Sequence, residues 1–117
     1  MDILLVENRY EDTGELEDLY NSFTDADVDV YEPDDIDFDE MSEAYDVVLS
    51  ELVLGDGVMG PDVLDRFEAD RKALYSFWRE EEAKNNTVIS RELERYDVYP
   101  KPGPRSLNLE EMVEEQV

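Results

Sequence analysis

Cysteine and histidine are both absent from this 117-residue chain. Without cysteine there is no disulfide and no thiolate chemistry. Without histidine, the usual general base and metal ligand near neutral pH is missing. Lysine is scarce, occurring only as Lys72, Lys84 and Lys101. No apolar run approaches the ~20 residues of a membrane span. The opening Met1-Asp2-Ile3-Leu4-Leu5-Val6 has no basic region before it and runs straight into Glu7. It therefore reads as a first strand and not as a signal peptide. These absences point to a cytoplasmic location.

What is present in excess is acid: 34 Asp plus Glu against 10 Lys plus Arg, a formal net charge of −24. An acidic interaction surface or nucleic-acid mimic is one explanation. The other is adaptation to molar salt, where repulsion is screened within about 3 Å and a dense acidic surface keeps a protein soluble. The acids are dispersed along the whole chain, and this favours salt adaptation. Binding to a DNA or RNA backbone is not expected, because phosphate contacts need clustered cations. Hydrophobic residues make up 41%, too many for a disordered tail. The length predicts a single domain over residues 1–117 with its own core and no output domain.

The apolar pattern alternates between strand and helix periods. Residues 2–7 and Asp27–Tyr31 read as the first two strands, the second at a sheet edge. Between them Leu16, Leu19, Tyr20 and Phe23 fall at helical spacing, with Thr13 as the expected cap. Met41, Ala44 and Tyr45 predict a short acidic helix. Val47 to Ser50 has the apolar, β-branched character of a strand covered on both faces. A long helix is expected from Pro61 to about Lys84, carrying Leu64, Phe67, Leu74, Tyr75 and Trp78. A fourth strand is expected at Thr87–Ser90 and a fifth at Val98–Tyr99. The last helix is expected around Leu107, Leu109, Met112 and Val113, capped by Ser106 or Asn108. Alternation of this kind predicts an α/β fold with a parallel sheet. The link from Ser90 to Lys101 is short for a parallel crossover.

In open parallel sheets the functional crevice lies at the carboxyl ends of the strands. Glu7-Asn8, Glu51, Ser90 and Lys101 all fall at expected strand ends. On these residues the chain resembles the receiver domain of two-component response regulators. Ile3-Leu4-Leu5-Val6-Glu7-Asn8 resembles the family's strand ending in paired acids. Tyr45 through Gly57 resembles the segment bearing the phosphoacceptor aspartate, with Glu51 at that position. Ser90 matches the switch hydroxyl, and Lys101-Pro102 the lysine–proline pair. The resemblance implies a flavodoxin-like three-layer sandwich with a five-stranded parallel sheet in the order 2-1-3-4-5. Here the third helix would be lengthened, and the fourth shortened or missing. It also implies phosphoryl transfer from a histidine kinase to the acceptor. Mg²⁺ would sit on Glu7, Asn8, Glu51 and the backbone carbonyl of Val53, with Ser90 and Lys101 on the phosphoryl oxygens.

Three departures from that pattern alter the expectation. Glu51 is one methylene longer than aspartate, about 1.5 Å of extra reach, and misplacement of about 1 Å can cost on the order of 100-fold. Asn8 puts a neutral amide where the family has a metal-binding acid, which weakens any Mg²⁺ site. The short link removes most of a helix from the family's signalling surface. The expectation is a stand-alone receiver-like protein that does not take phosphate at Glu51 and is not an enzyme. It would act by contact with a signalling partner, either a histidine kinase or a downstream target. Glu51 would form a standing salt bridge with Lys101. The alternatives are a working regulator phosphorylated at Glu51 or Asp56, and a structural dimerisation module. An acid–base enzyme using Glu51 and Lys101 is the least favoured reading.

Overall fold

A computed structural model of the chain describes residues 1–8, 12–76, 87–100 and 108–115. Its core is a sheet of β1 (Asp2–Val6), β2 (Asp27–Tyr31), β3 (Val47–Ser50), β6 (Arg71–Ser76) and β7 (Val98–Pro100). The spatial order is β2-β1-β3-β6-β7, and every pairing in it is parallel. Two short strands, β4 (Val53–Gly55) and β5 (Val58–Met59), form a separate antiparallel hairpin. The expected order 2-1-3-4-5 left this hairpin out of the count. With its two strands included, the order is 2-1-3-6-7.

The α-helices among the described residues are α1 (Thr13–Phe23), α2 (Phe38–Met41), α3 (Gly60–Leu64), α4 (Thr87–Leu93) and α5 (Leu109–Glu115), with a 3-10 turn at Pro33–Asp35. Side chains alternate across the sheet, so each central strand feeds two cores. Ile3, Leu5, Val47, Leu49, Ala73 and Tyr75 pack with Tyr20 of α1 and Leu109, Met112 and Val113 of α5. Leu4, Val6, Val48 and Leu74 pack on the other face with Val63 and Leu64 of α3, Phe67, and Leu93 of α4. The result is the three-layer α/β arrangement that a sheet buried on both faces requires.

Local chemistry fixes the element ends. Asp12, not Thr13, caps α1, its carboxylate accepting from the Glu15 N–H at 3.1 Å. Asn108 caps α5, its Oδ1 accepting from the Glu111 N–H at 3.0 Å; the alternative cap, Ser106, lies outside the described residues. The outer edge of β2 is closed by α1. Asn21 accepts from the Val28 N–H at 2.9 Å and donates to the Val28 carbonyl at 2.8 Å, while Glu17 accepts from the Val30 N–H at 3.2 Å. Edge groups that would otherwise invite strand pairing are thereby occupied.

Three expectations are corrected between Pro61 and Ser90. The long helix is absent over the described part of its range: α3 stops at Leu64, and Arg71–Ser76 is a strand. The rest of that helix, with Phe77, Trp78 and Lys84, lies outside the described residues. Thr87–Ser90 is not the fourth strand but the start of α4, so a helix does precede β7. The expected short crossover disappears, because the strand beside β3 is Arg71–Ser76 and not Thr87–Ser90.

The physical reasons are visible in the packing. Leu64, Phe67, Leu74 and Tyr75 are all buried, but they reach the core from a helix, a turn and a strand. Lys72 sits within β6 because its ammonium leaves the sheet, donating to the carbonyls of Leu64 at 3.2 Å and Phe67 at 3.0 Å. It also lies 5.6 Å from the centre of the Tyr96 ring. In α4, Val88 is 60% exposed and Leu93 only 6%. The burying pair is therefore Ile89 and Leu93, spaced i, i+4 as a helix face demands.

Candidate functional site

The carboxyl ends of β1 and β3 adjoin at the centre of the sheet. Val6 is the register partner of Ser50, and the ladder continues one residue further. The Glu51 N–H donates to the Val6 carbonyl at 3.0 Å, and the Glu7 N–H to the Tyr31 carbonyl at 3.0 Å. Backbone pairing thus sets both acids at the rim. Their environments differ. Glu7 is 1% exposed, whereas Glu51 and Asn8 are half-buried. A buried carboxylate is costly unless its surroundings compensate it, so Glu7 is the more constrained acid. Its charge acts on Tyr75, whose phenol is raised far above the usual range. Burial is the main cause of that shift. The Tyr20 hydroxyl partner at 3.3 Å and the nearby Glu7 add to it.

Ser50 and Gly60 hold the Glu51 peptide in place. The fully buried Ser50 hydroxyl donates to the Glu51 carbonyl at 2.9 Å. A Cβ on Gly60 would stand 2.1 Å from that same carbonyl oxygen. The Gly60 N–H donates to the Leu52 carbonyl at 2.8 Å, so α3 begins pressed against the end of β3. The intervening Gly55-Asp56-Gly57 is the turn of the β4–β5 hairpin, with φ of 96°, 51° and 79°. Asp56 is exposed at its tip, in a left-handed conformation that aspartate tolerates better than most residues. Val53, expected to offer its carbonyl to a metal, opens β4 opposite Met59.

The other site residues separate. Ser90 lies inside α4 and not at a strand end, so it does not occupy the position expected of it. Lys101 lies outside the described residues. The residue that ends the strand beside β3 is Ser76: β6 pairs Leu74 with Ser50 and continues to Tyr75 and Ser76. Sequence reasoning misses it because Leu74 and Tyr75 also fit a helical stripe with Leu64, Phe67 and Trp78. The signal was available in the unbroken run from Ala73 to Tyr75, which follows charged Arg71-Lys72 and ends in a hydroxyl, as Val47 to Ser50 does.

For Mg²⁺ the donors at this rim are two carboxylates and a neutral amide. Among the described residues no group of three or more acids is placed to hold a metal ion. Mg²⁺ demands near-ideal octahedral oxygen geometry, and this set fits it poorly.

No family model matches the chain, and no curated protein matches it. Among solved structures, it is similar to a fusion protein carrying amino acids 181–211 of the yeast Spc42 trimeric coiled coil. The TM-score is 0.64 at 15% identity, covering 98% of this chain and 77% of the other. That likeness is one of fold. An oxidised flavodoxin 1 from Bacillus cereus aligns with a TM-score of 0.47 at 14% identity, over 97% of this chain and 92% of that one. The class defined by fold and site is an α/β domain with a doubly wound parallel sheet and an acidic pair at the carboxyl ends of its two central strands. Among the described residues no helix is long and apolar enough to cross a membrane.

Proposed function

We propose that this chain is a receiver-like signalling domain that works by protein–protein contact and does not accept phosphate at Glu51. The observation that carries the reading is the placement of Glu7 and Glu51 at the ends of adjoining strands β1 and β3, locked by the Glu51–Val6 backbone bond. This is the position a receiver gives to its acidic pair and acceptor. Here the acceptor position holds a longer carboxylate and the pair has lost an acid to Asn8. The first change keeps the charge but spoils the geometry for in-line attack, and the second removes a metal-binding charge. In this reading the carboxyl end of β6, at Ser76, takes the strand-end place expected of Ser90, and Lys101 remains the expected cationic partner of Glu51. The partner is a histidine kinase or a downstream target, reached in the cytoplasm.

Incubation with a small-molecule phosphodonor and Mg²⁺, followed by intact mass measurement, tests it. The unmodified mass is expected throughout. A phosphoryl adduct mapped to Glu51 or Asp56 would instead make the protein a working regulator.

A further inference from the structure

The hairpin between Leu52 and Gly60 carries a chemistry that the rim does not use. Its base is fastened, because the Gly60 N–H donates to the Leu52 carbonyl at 2.8 Å. Its stem is slight: Val53 faces Met59, Gly55 faces Val58, and the register shifts between the two pairs. Asp56 and Gly57 are therefore the residues that link the strands. Both have positive φ, 51° and 79°, as a type I′ turn requires. The bond that closes such a turn joins its first carbonyl to its fourth N–H. The nitrogen of Gly57, third in the turn, is not the one that bond uses.

Asp56-Gly57 is the only Asp-Gly pair in the chain. Attack of a main-chain nitrogen on the preceding carboxyl depends on what crowds that nitrogen. Glycine puts no Cβ beside it, and nothing lies within 4 Å of where a Cβ on Gly57 would stand. Aspartates elsewhere are shielded. Asp27, Asp29, Asp46 and Asp97 precede Val28, Val30, Val47 and Val98, whose branched Cβ is bulky and stiff. Those valines lie in β2, β3 and β7, held by parallel pairing. Asp56 is exposed, at the tip of a two-pair stem, the kind of segment that opens locally.

We propose that Asp56 is a self-modification site at which the chain converts aspartate to isoaspartate. The Gly57 nitrogen attacks Cγ of the protonated Asp56 carboxyl. An N–Cγ bond forms, and the carboxyl hydroxyl leaves with the amide proton as water. The closure is intramolecular, so the reacting atoms are held at high effective concentration. Water then opens the succinimide ring. Addition at Cγ restores aspartate. Addition at the main-chain carbonyl carbon of Asp56 breaks its bond to the Gly57 nitrogen and leaves the chain running through Cβ and Cγ, with a free α-carboxylate. Nothing is oxidised or reduced, and the mass is unchanged. That carboxylate is the substrate class of methyltransferases that act on aged proteins. The added main-chain methylene breaks the facing of Gly55 and Val58, while the Leu52–Gly60 clasp confines the change to the hairpin. The site is independent of the reading of Glu51.

The test holds the folded protein in neutral, high-salt buffer made with heavy-oxygen water, then digests it in ordinary water for peptide mapping. Each ring opening installs one heavy oxygen. Isoaspartate is read separately, by the methyl ester that a protein isoaspartate methyltransferase adds. Label and ester are expected at residue 56, and both should be lost in Asp56→Glu, where the ring would need six members. Gly57→Asn tests the attacking nitrogen. Asparagine tolerates positive φ, the open space admits its side chain, and labelling at residue 56 should slow several-fold. An unlabelled residue 56 in the folded protein, when a synthetic peptide of residues 52–60 labels under the same conditions, would overturn the proposal. So would equal labelling of Asp27, Asp29, Asp46 and Asp97, or an unchanged rate in Gly57→Asn.

Discussion

The Glu51 N–H and the Val6 carbonyl meet at 3.0 Å. This bond extends the parallel ladder past the end of β3 and fixes where the Glu51 side chain starts. The carbonyl of the same residue is held from the other side by Ser50 and crowded by Gly60. Gly60→Ala would drive a Cβ to 2.1 Å from that oxygen, a contact that only backbone displacement can relieve. We expect a loss of about 1–3 kcal/mol, as for overpacked cores, measured by urea unfolding. Ser50→Ala removes only the hydroxyl bond and should cost about 0.5–1.5 kcal/mol.

Asn21 closes the edge of β2 with both ends of its amide. Asn21→Ala leaves the Val28 N–H and carbonyl without that partner, and the urea midpoint should fall by the equivalent of about 1–3 kcal/mol. Asn21→Asp keeps an acceptor for the N–H but loses the donor, so it should fall between wild type and Asn21→Ala.

Much of this was legible in advance, and the limits are instructive. β1, β2 and β3 were readable because their apolar runs are short, uninterrupted and followed by acids or breakers. Their parallel arrangement followed from the alternation with helices. The stretch from Pro61 to Ser90 was not readable. Phe67, Leu74 and Tyr75 sit at intervals that suit a helix, and the charged opening of β6 hides a strand unless Lys72 is known to reach the carbonyls of Leu64 and Phe67. Thr87 to Ser90 has strand-like residues, yet tertiary burial of Ile89 and Leu93 makes it helical. Of the expected site, Glu7, Asn8 and Glu51 come together at the rim, whereas Ser90 does not join them.

Arg95 joins the end of α4 to α3 by pairing with Asp62 at 2.8 Å and with Asp65, and it also holds Glu92 at 2.9 Å. These bonds favour its charged form and hold its ionisation above the ordinary value, the Asp62 bond foremost. Tyr96 donates to Asp65 at 2.5 Å, and burial together with that bond pushes its phenol up to about 12. Arg95→Met should lower the thermal midpoint at low salt. The deficit should shrink as ionic strength rises, because the pairs are exposed and screened.

Glu43 and Glu68 are neighbours on the surface, and the hydrogen bond that a protonated Glu43 can give Glu68, with the repulsion between the charged pair, holds the Glu43 carboxyl above its usual range. An acid whose folded-state value is raised contributes stability at low pH and loses it as pH rises through that value. Glu43→Gln, which can donate to Glu68 at any pH, should therefore raise the thermal midpoint at pH 7. The gain should vanish as the pH falls below the ordinary glutamate value. A gain that is the same at both pH values would contradict this origin.

On the proposed reading the rim has a receiver's layout but does not accept phosphate, because Glu51 is too long and Asn8 is not an acid. Phosphoryl incorporation from a small-molecule donor with Mg²⁺, measured by intact mass and peptide mapping, tests it most directly when wild type is compared with the double variant Glu51→Asp/Asn8→Asp. The account predicts no adduct on wild type and an acyl phosphate at position 51 of the double variant. Labelling of Glu51 in the wild-type chain, or none in a correctly folded double variant, would contradict it.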